Sequence, residues 1–329
     1  MKPYKKKERF YNHEHDKISY RLLHMLKEAW FYIKRRLSGA HKKRPYFDLG
    51  INLKDWISPE LPKDSSDELV ITWIGHATFL IQVAGVNILT DPIFFDVEKM
   101  PNLFKRKVQA PFGIDQLPKI DIVLISHSHQ DHMDKRTLLA LKKDNPKIFV
   151  PHEKKKWFVT HGFGSVREFV WWESLTLENG FILTFLPAVH WTGRDIFDIN
   201  KSLWGSWLLE VQDIKQDKKI YFAGDTAPGR HFDMIRKKYG QIDIALMPIA
   251  PNEPRHFINH VHLSAHEAVQ AFIELGAKNF IPMHWGTFES GTDTFIDPIN
   301  LLKKHWHENM SEIPDKKLCI VKFGEPKIF

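Results

Sequence analysis

Three histidines and an aspartate fall within six positions, His127-Ser128-His129-Gln130-Asp131-His132, directly after an apolar run at residues 121–126. An apolar run of that length reads as a buried strand, so the four side chains leave one strand end and can point into one small volume. Imidazole nitrogen and carboxylate oxygen are donors that zinc, iron or manganese accept. Further donors follow other β-rich runs in the same way: His190 beyond residues 181–186, Asp225 beyond 220–223 and His284 beyond 279–282. A chain that delivers such residues from four strand ends must bring those ends together. Strand-like runs in two clusters with helical stretches between them imply an α/β architecture of two sheets covered by helices.

The intervening sequence supports this. Residues 69–73, 79–83 and 86–90 read as successive antiparallel strands, with Gly85 in the last turn. Residues 147–150, 206–211 and 243–248 continue the strand series, residues 135–143 and 298–305 read as helices. Residues 264–275 form a further helix, with Ser264 and Glu267 in the capping-box arrangement. Hydrophobic residues make up 43% of the 329 and charged ones 26%, enough for a substantial core and too apolar for disorder. The single cysteine, Cys319, excludes a disulfide within the chain and any cysteine-based zinc knuckle. No run approaches the ~20 apolar residues of a membrane span, and no apolar stretch follows Lys5-Lys6-Lys7 as a secretory signal would require. A cytoplasmic, reducing environment is the expectation.

Charge is unevenly placed. Residues 1–45 hold 14 Lys and Arg against 4 Asp and Glu, a net of +10, whereas the whole chain carries +7; residues 46–329 therefore carry −3. Within this arm Ile18, Leu22, Leu26, Trp30, Ile33 and Leu37 share one helical face, and Lys17, Arg21, Lys27, Lys34, Arg35 and Arg36 fill much of the rest. Two readings fit: a helix lying on an anionic membrane surface, or a helix packed on the body with a solvated basic face. Nucleic acid is not an expected partner, because no stacking module accompanies the arm. The chain divides on this reading into a basic amphipathic arm, 1–45, and a folded body, 46–329.

The donors sort into two metal positions. His127, His129 and His190 can hold one ion, Asp131, His132 and His284 another, and Asp225 can bridge them, each ion keeping an open position for solvent. Asp134 reads as a carboxylate at a helix N-terminus. Asp91, between a strand and Pro92, can orient a ligand histidine from behind. Glu253 and Arg255 read equally well as an ion pair or as presenting Arg255 to a phosphate, and Trp171, Trp172, Trp204 and Trp207 as core.

The motif His127-x-His129-x-Asp131-His132, with His190, Asp225 and His284, resembles that of the metallo-β-lactamase superfamily. Segments outside the ligands narrow the match. They are Thr72-Trp73-Ile74-Gly75-His76-Ala77-Thr78, Leu89-Thr90-Asp91-Pro92-Ile93-Phe94, Leu203-Trp204-Gly205-Ser206-Trp207, Phe222-Ala223-Gly224-Asp225-Thr226, Glu253-Pro254-Arg255 and His284-Trp285-Gly286-Thr287-Phe288. They are similar to the N-acyl-phosphatidylethanolamine-hydrolysing phospholipase D family and its bacterial relatives. The resemblance implies a four-layer αβ/βα sandwich, two mixed sheets flanked by helices, with two Zn2+ at its edge (Fe or Mn being alternatives). It also implies hydrolysis of an N-acylated phosphatidylethanolamine to phosphatidic acid and an N-acylethanolamine, by a protein associated peripherally with the membrane. In the family a histidine after Glu-Pro-Arg contacts the substrate phosphate, a place taken here by His262, with His260 as competitor. Asp131 and His262 are thus the residues expected to act on the reacting groups. Gln130 stands where lipid-binding members tend to carry an aromatic, and it counts with His262 as a candidate substrate contact. A homodimer is compatible with all of this. So are two other functions of the same metal site, namely hydrolysis of a soluble lactone or small phosphodiester, and a non-enzymatic metal-dependent sensor.

Overall fold

Alternation along the strands dictates the layering. In Thr78–Val83 (β4), Phe79, Ile81 and Val83 join one apolar cluster while Leu80 joins another. Ile122–Leu124 (β6) repeats the pattern, with Ile122 and Leu124 in the first cluster and Val123 in the second. A strand whose two faces are both apolar must be covered on both sides, by a second sheet on one and by helices on the other. The computed structural model, which describes residues 1–6, 8–12, 30, 34, 46–47, 51–98, 105–178, 180–212 and 217–329, has that arrangement.

Two seven-stranded mixed sheets face each other. The first contains Val70–Gly75 (β3), β4, Val86–Thr90 (β5), β6, Lys147–Pro151 (β7), Val166–Phe169 (β8) and Pro326–Ile328 (β16), in the order β16-β3-β4-β5-β6-β7-β8. The second contains Ser174–Thr176 (β9), Ile182–Leu186 (β10), Ser206–Val211 (β11), Lys218–Phe222 (β12), Ile242–Pro248 (β13), Ala277–Met283 (β14) and Lys317–Leu318 (β15), in the order β15-β14-β13-β12-β11-β10-β9. Each sheet is antiparallel on one side and parallel on the other, the change falling at β5 in the first and β12 in the second. The parallel halves send their carboxyl ends, where Asp91, His127, Asp225 and His284 follow, toward one edge.

Lys135–Leu141 (α1) and Lys155–Thr160 (α2) cover the outside of the first sheet through Leu138, Leu141 and Phe158. His231–Tyr239 (α3), Ala265–Leu275 (α5) and Asp297–Glu308 (α6) cover the second through Phe232, Phe272 and Leu302; a short turn of helix, Arg255–Ile258 (α4), precedes α5. Trp73, Trp207 and Trp285 fill the space between the sheets, and burial of each such side chain contributes on the order of 3 kcal/mol. Trp171 and Trp204 are buried there too, as expected, while Trp172 is partly buried. Asp134 and Ser264 cap α1 and α5 as expected, each side chain accepting from the backbone N–H three residues on. Among the described residues no helix is long and apolar enough to cross a membrane.

The start of the chain departs from the sequence reading. Tyr4–Lys6 (β1) and Arg9–Tyr11 (β2) pair as a hairpin, and the hairpin is docked on the body. Phe10 is buried, its N–H donates to the Asn200 carbonyl, and its own carbonyl accepts from Asn200 Nδ2. Asn12 is buried between the Trp204 indole N–H, which it accepts at 3.2 Å, and the His190 carbonyl, to which its amide donates at 2.8 Å. Residues 1–12 thus pack on the body that follows and do not stand apart from it as an arm. The amphipathic helix read over 18–37 lies outside the described residues, save Trp30 and Lys34, which are helical in backbone and exposed.

Candidate metal centre

The histidine loop leaves β6 through Ser126, whose N–H donates to Asp91 Oδ1 at 2.7 Å and whose hydroxyl donates to Asp91 Oδ2. Asp91 sits fully buried at φ 32, a conformation that costs a non-glycine residue on the order of 1 kcal/mol and is tolerated where the surroundings dictate it. Its Oδ2 lies 2.7 Å from His132 Nδ1, so Asp91 fixes the ring of this candidate ligand from behind. Burial pushes its carboxyl up, against the hydrogen bonds it accepts.

The other imidazoles are oriented in the same manner. His190 Nδ1 lies 2.8 Å from the Val261 carbonyl and His284 Nδ1 2.9 Å from the Ala250 carbonyl. A carbonyl only accepts, so both rings carry their proton on Nδ1 and present the Nε2 lone pair inward. His127 Nδ1 is held by the Ser126 hydroxyl at 2.8 Å. His127 Nε2, His129 Nδ1 and His190 Nε2 then converge, the first pair 2.8 Å and the second 3.3 Å apart.

All seven expected ligands meet at this edge. His127, His129 and His190 form one group and Asp131, His132 and His284 another, the ligand atoms within each lying no more than 4.8 Å apart. Asp225 stands between them. Its Oδ2 is 3.2 Å from His132 Nε2, 3.7 Å from His190 Nε2 and 3.9 Å from His127 Nε2, and its Oδ1 is 3.1 Å from His284 Nε2. Placing it there takes a glycine. Gly224 has φ +57, and a Cβ on it would come within 2.6 Å of Ser126 Cβ, where β12 and β6 end against each other.

These residues fit divalent cations. His129 Nε2, His132 Nε2, His284 Nε2, His262 Nδ1 and Asp225 Oδ1 are all buried without a hydrogen-bond partner, and a cation satisfies such atoms where packing cannot. Charge is arranged to match. Burial opposes ionisation of Asp225 and Asp131, yet the facing histidines, His132 foremost, hold both carboxyls well below the usual range. Burial drives His127 and His190 well below 6.5 and His129 to about 4, so all three are neutral, as ligands must be. His132 is the exception: burial lowers it, but Asp225 and Asp131 outweigh burial and hold it well above 6.5.

His262 belongs to this site and His260 does not. His262 Nδ1 lies 3.8 Å from Asp225 Oδ2, whereas the part-exposed His260 turns its Nδ1 to Asn259 Oδ1 at 3.4 Å. Arg255 pairs with Glu267 of the α5 cap and donates to the His262 carbonyl at 3.0 Å, so the partner expected in Glu253 is instead Glu267. Glu253 accepts the Arg255 backbone N–H. Gln130 donates its amide to the Arg194 carbonyl at 2.7 Å, which makes it a tie between two loops. The centre is closed on the side of His127, His132, His190 and His284, and opens where His129, Gln130, Asp131 and His262 are part-exposed.

One member was missed by reading ligand spacing alone. His76 joins Asp131, His132 and His284 in the second group. Its Nε2 lies 3.1 Å from Asp131 Oδ2, its carbonyl accepts from the His284 N–H at 3.0 Å, and its ring packs 4.0 Å from that of His284. Burial, then His284, lowers its pKa to about 3; the neutral ring donates to Asp131. The signal was Gly75-His76: the glycine at φ +127 and the histidine at φ 54 turn the chain back into the site. His76→Ala is expected to weaken the second metal position about 10–100-fold while sparing the first. Competition with a chelator measures this, and His76→Gln, which keeps a donor, should restore part of the affinity.

Comparison with known proteins agrees with this geometry. Residues 86–285 match the family model of the beta-lactamase superfamily domain. N-acyl-phosphatidylethanolamine-hydrolyzing phospholipase D 1 of Caenorhabditis elegans is 34% identical over 275 residues, 79% of this chain and 76% of that protein. The mitochondrial N-acyl-phosphatidylethanolamine-hydrolyzing phospholipase D of Saccharomyces cerevisiae is 34% identical over 234 residues, 69% of this chain but only 49% of that protein, so the chain spans about half its length. Among solved structures, a metallo hydrolase from the archaeon Ignicoccus hospitalis superposes with a TM-score of 0.61 at 23% identity, over 79% of this chain and 98% of that one, a likeness of fold. The chain is a metal-dependent hydrolase of metallo-β-lactamase fold, and within that superfamily it belongs to the family of the N-acyl-phosphatidylethanolamine-hydrolysing phospholipases D.

Proposed function

We propose that the protein is a phosphodiesterase of phospholipase D type, associated peripherally with a membrane. It hydrolyses N-acyl-phosphatidylethanolamine-like glycerophospholipids to phosphatidic acid and an N-acylethanolamine. The observation that carries this reading is Asp225, set between two histidine groups at a centre that opens beside His262. The names of the worm and yeast relatives support the substrate.

His127, His129 and His190 would hold one ion, Asp131, His132 and His284 the other, with Asp225 shared. Bound cations, zinc in the first place, supply the Lewis acidity that activates water and balances charge on a phosphoryl group. Water adds to phosphorus, the bond from phosphorus to the ethanolamine oxygen breaks, and that oxygen takes up the proton. The protein's part is orientation. Asp91, Val261 and Ala250 hold His132, His190 and His284 by Nδ1, with Nε2 of each aimed inward. His76 does the same for Asp131. His262, driven well below 6.5 by burial, is neutral, and its ring N–H can donate to a phosphoryl oxygen at the open side.

Zinc-loaded protein offered an N-acyl-phosphatidylethanolamine and a lactone side by side should release N-acylethanolamine from the first. Turnover of the lactone alone would move the substrate class, and turnover of neither would favour a sensor. His262→Ala should keep its metal content and lose roughly 10²–10³-fold in kcat with little change in KM, the pattern of a donor used in the transition state.

A further inference from the structure

Seven residues beyond His190 the chain makes a tight turn that exposes two apolar side chains, Ile196 at 59% and Phe197 at 74%. This turn is a built feature. Asp195 Oδ1 accepts from the N–H groups of Phe197 and Asp198, at 2.8 and 3.2 Å. Asp198 Oδ1 accepts from those of Arg194 and Asp195, at 2.7 and 2.9 Å. Asp198 Oδ2 is paired with Lys154 at 3.2 Å. The base of the turn is fastened to the histidine loop: Arg194 donates to the carbonyls of Ser128 and Met133, and Gln130 donates to the Arg194 carbonyl. Two interlocked Asp turns thus hold Ile196 and Phe197 out in solvent, on a loop tied to the residues between the metal ligands.

We infer that Ile196 and Phe197 form an anchoring tip that enters a phospholipid bilayer beside the metal centre. The inference rests on the lipid substrate proposed above. A phosphodiester in a headgroup lies at the bilayer surface, so the opening at His129, Asp131 and His262 must be brought against that surface, and the tip rises from the same loops. A second protein is a poor occupant. Two side chains at a convex tip offer at most a few hundred Å2, below the roughly 1,000 Å2 of a stable interface. A fluid acyl layer needs no complementary surface. With Asp195, Asp198, Lys154 and Arg194 taken up in holding the turn, the neighbouring segments 153–156 and 194–201 keep exposed Lys155, Lys156 and Lys201 against Glu153, so the surroundings suit phospholipid headgroups.

The test uses the full chain, zinc-loaded, and the double variant I196S/F197S. Sedimentation with phosphatidylcholine vesicles is measured at about 1 M salt, where charges are screened beyond about 3 Å and the basic arm contributes little. Wild type should sediment, and the double variant should bind about tenfold more weakly, with metal content and Tm unchanged. On vesicle-borne N-acyl-phosphatidylethanolamine its kcat/KM should fall about as much, while turnover of water-soluble bis(p-nitrophenyl) phosphate should stay the same. Equal sedimentation of the two proteins would overturn the anchor. So would a wild-type dimer that the substitutions dissociate, which would show a second copy covering the tip. If wild type sediments through the tip but cleaves no phospholipid, the anchor stands and the substrate reading fails alone.

Discussion

Replacing Asp225 by Asn is expected to strip the centre of metal and to lower hydrolysis on the order of 10³-fold or more. The carboxylate faces His127, His132 and His190 with one oxygen and His284 with the other, at 3.1 to 3.9 Å. An amide of the same shape removes the negative charge from both positions at once. It also turns an N–H donor toward imidazole nitrogens, some of which need their lone pairs for a cation. Substitutions behind the ligands, such as His76→Ala, disturb one position only, so this effect should exceed them. Elemental analysis beside a rate measurement decides the matter: two metals retained at full occupancy would mean that Asp225 does not join the two groups.

Metal removal should cost the fold more than an ordinary cofactor site would. Each of two cations, present at about a thousand times its dissociation constant, adds about 4 kcal/mol, roughly 6 °C in Tm for a chain of this size and about twice that for the pair. Without them, acid should bring the protein down early. His76, at about 3, and His129, at about 4, are depressed in the folded state, as are His127, His190 and His262. Each takes up a proton near pH 6.5 when the chain unfolds but not while it is folded. Their contribution is therefore complete above pH 6.5 and is lost as pH falls from 6.5 toward 3 to 4. His132, held well above 6.5, works in the opposite sense, one group against five. Asp131 and Asp225, both depressed, extend the loss below pH 4. Melting curves of chelator-treated protein from pH 7 to pH 4 should show a steady fall in Tm; a flat profile would mean the imidazoles are not held neutral.

How much of this was readable beforehand varied with how strongly neighbouring residues declared their environment. The ligands were legible because each ends a run of apolar residues, and a polar side chain at a strand's end has few bland uses when several recur. Strands β5 and β11 fall on the predicted residues, since apolar alternation and Gly85 mark their limits. The short edge strands β8, β9, β15 and β16 left no such trace: two to four residues are too few to show a period. Helix α3 hid because its last turn is all charge and aromatic, Arg236-Lys237-Lys238-Tyr239. His76 hid because its spacing from the other histidines is set by the fold, not by the chain. Arg255 could be assigned only once α5 was in place, because its partner is the glutamate that also caps that helix.

The docked hairpin changes what trimming this protein would do. A cut before Tyr46, where the charge distribution invites one, removes Phe10 from the core and Asn12 from beside the Trp204 indole, which keeps the Ala188 carbonyl as acceptor. It also takes the Asn12 amide away from the His190 carbonyl, and so slackens the backbone that carries a candidate ligand. Loss of vesicle binding in such a shortened protein would report damage to the centre as readily as loss of a tether. Internal excision within 13–45, with the first twelve residues rejoined to the body, separates the two.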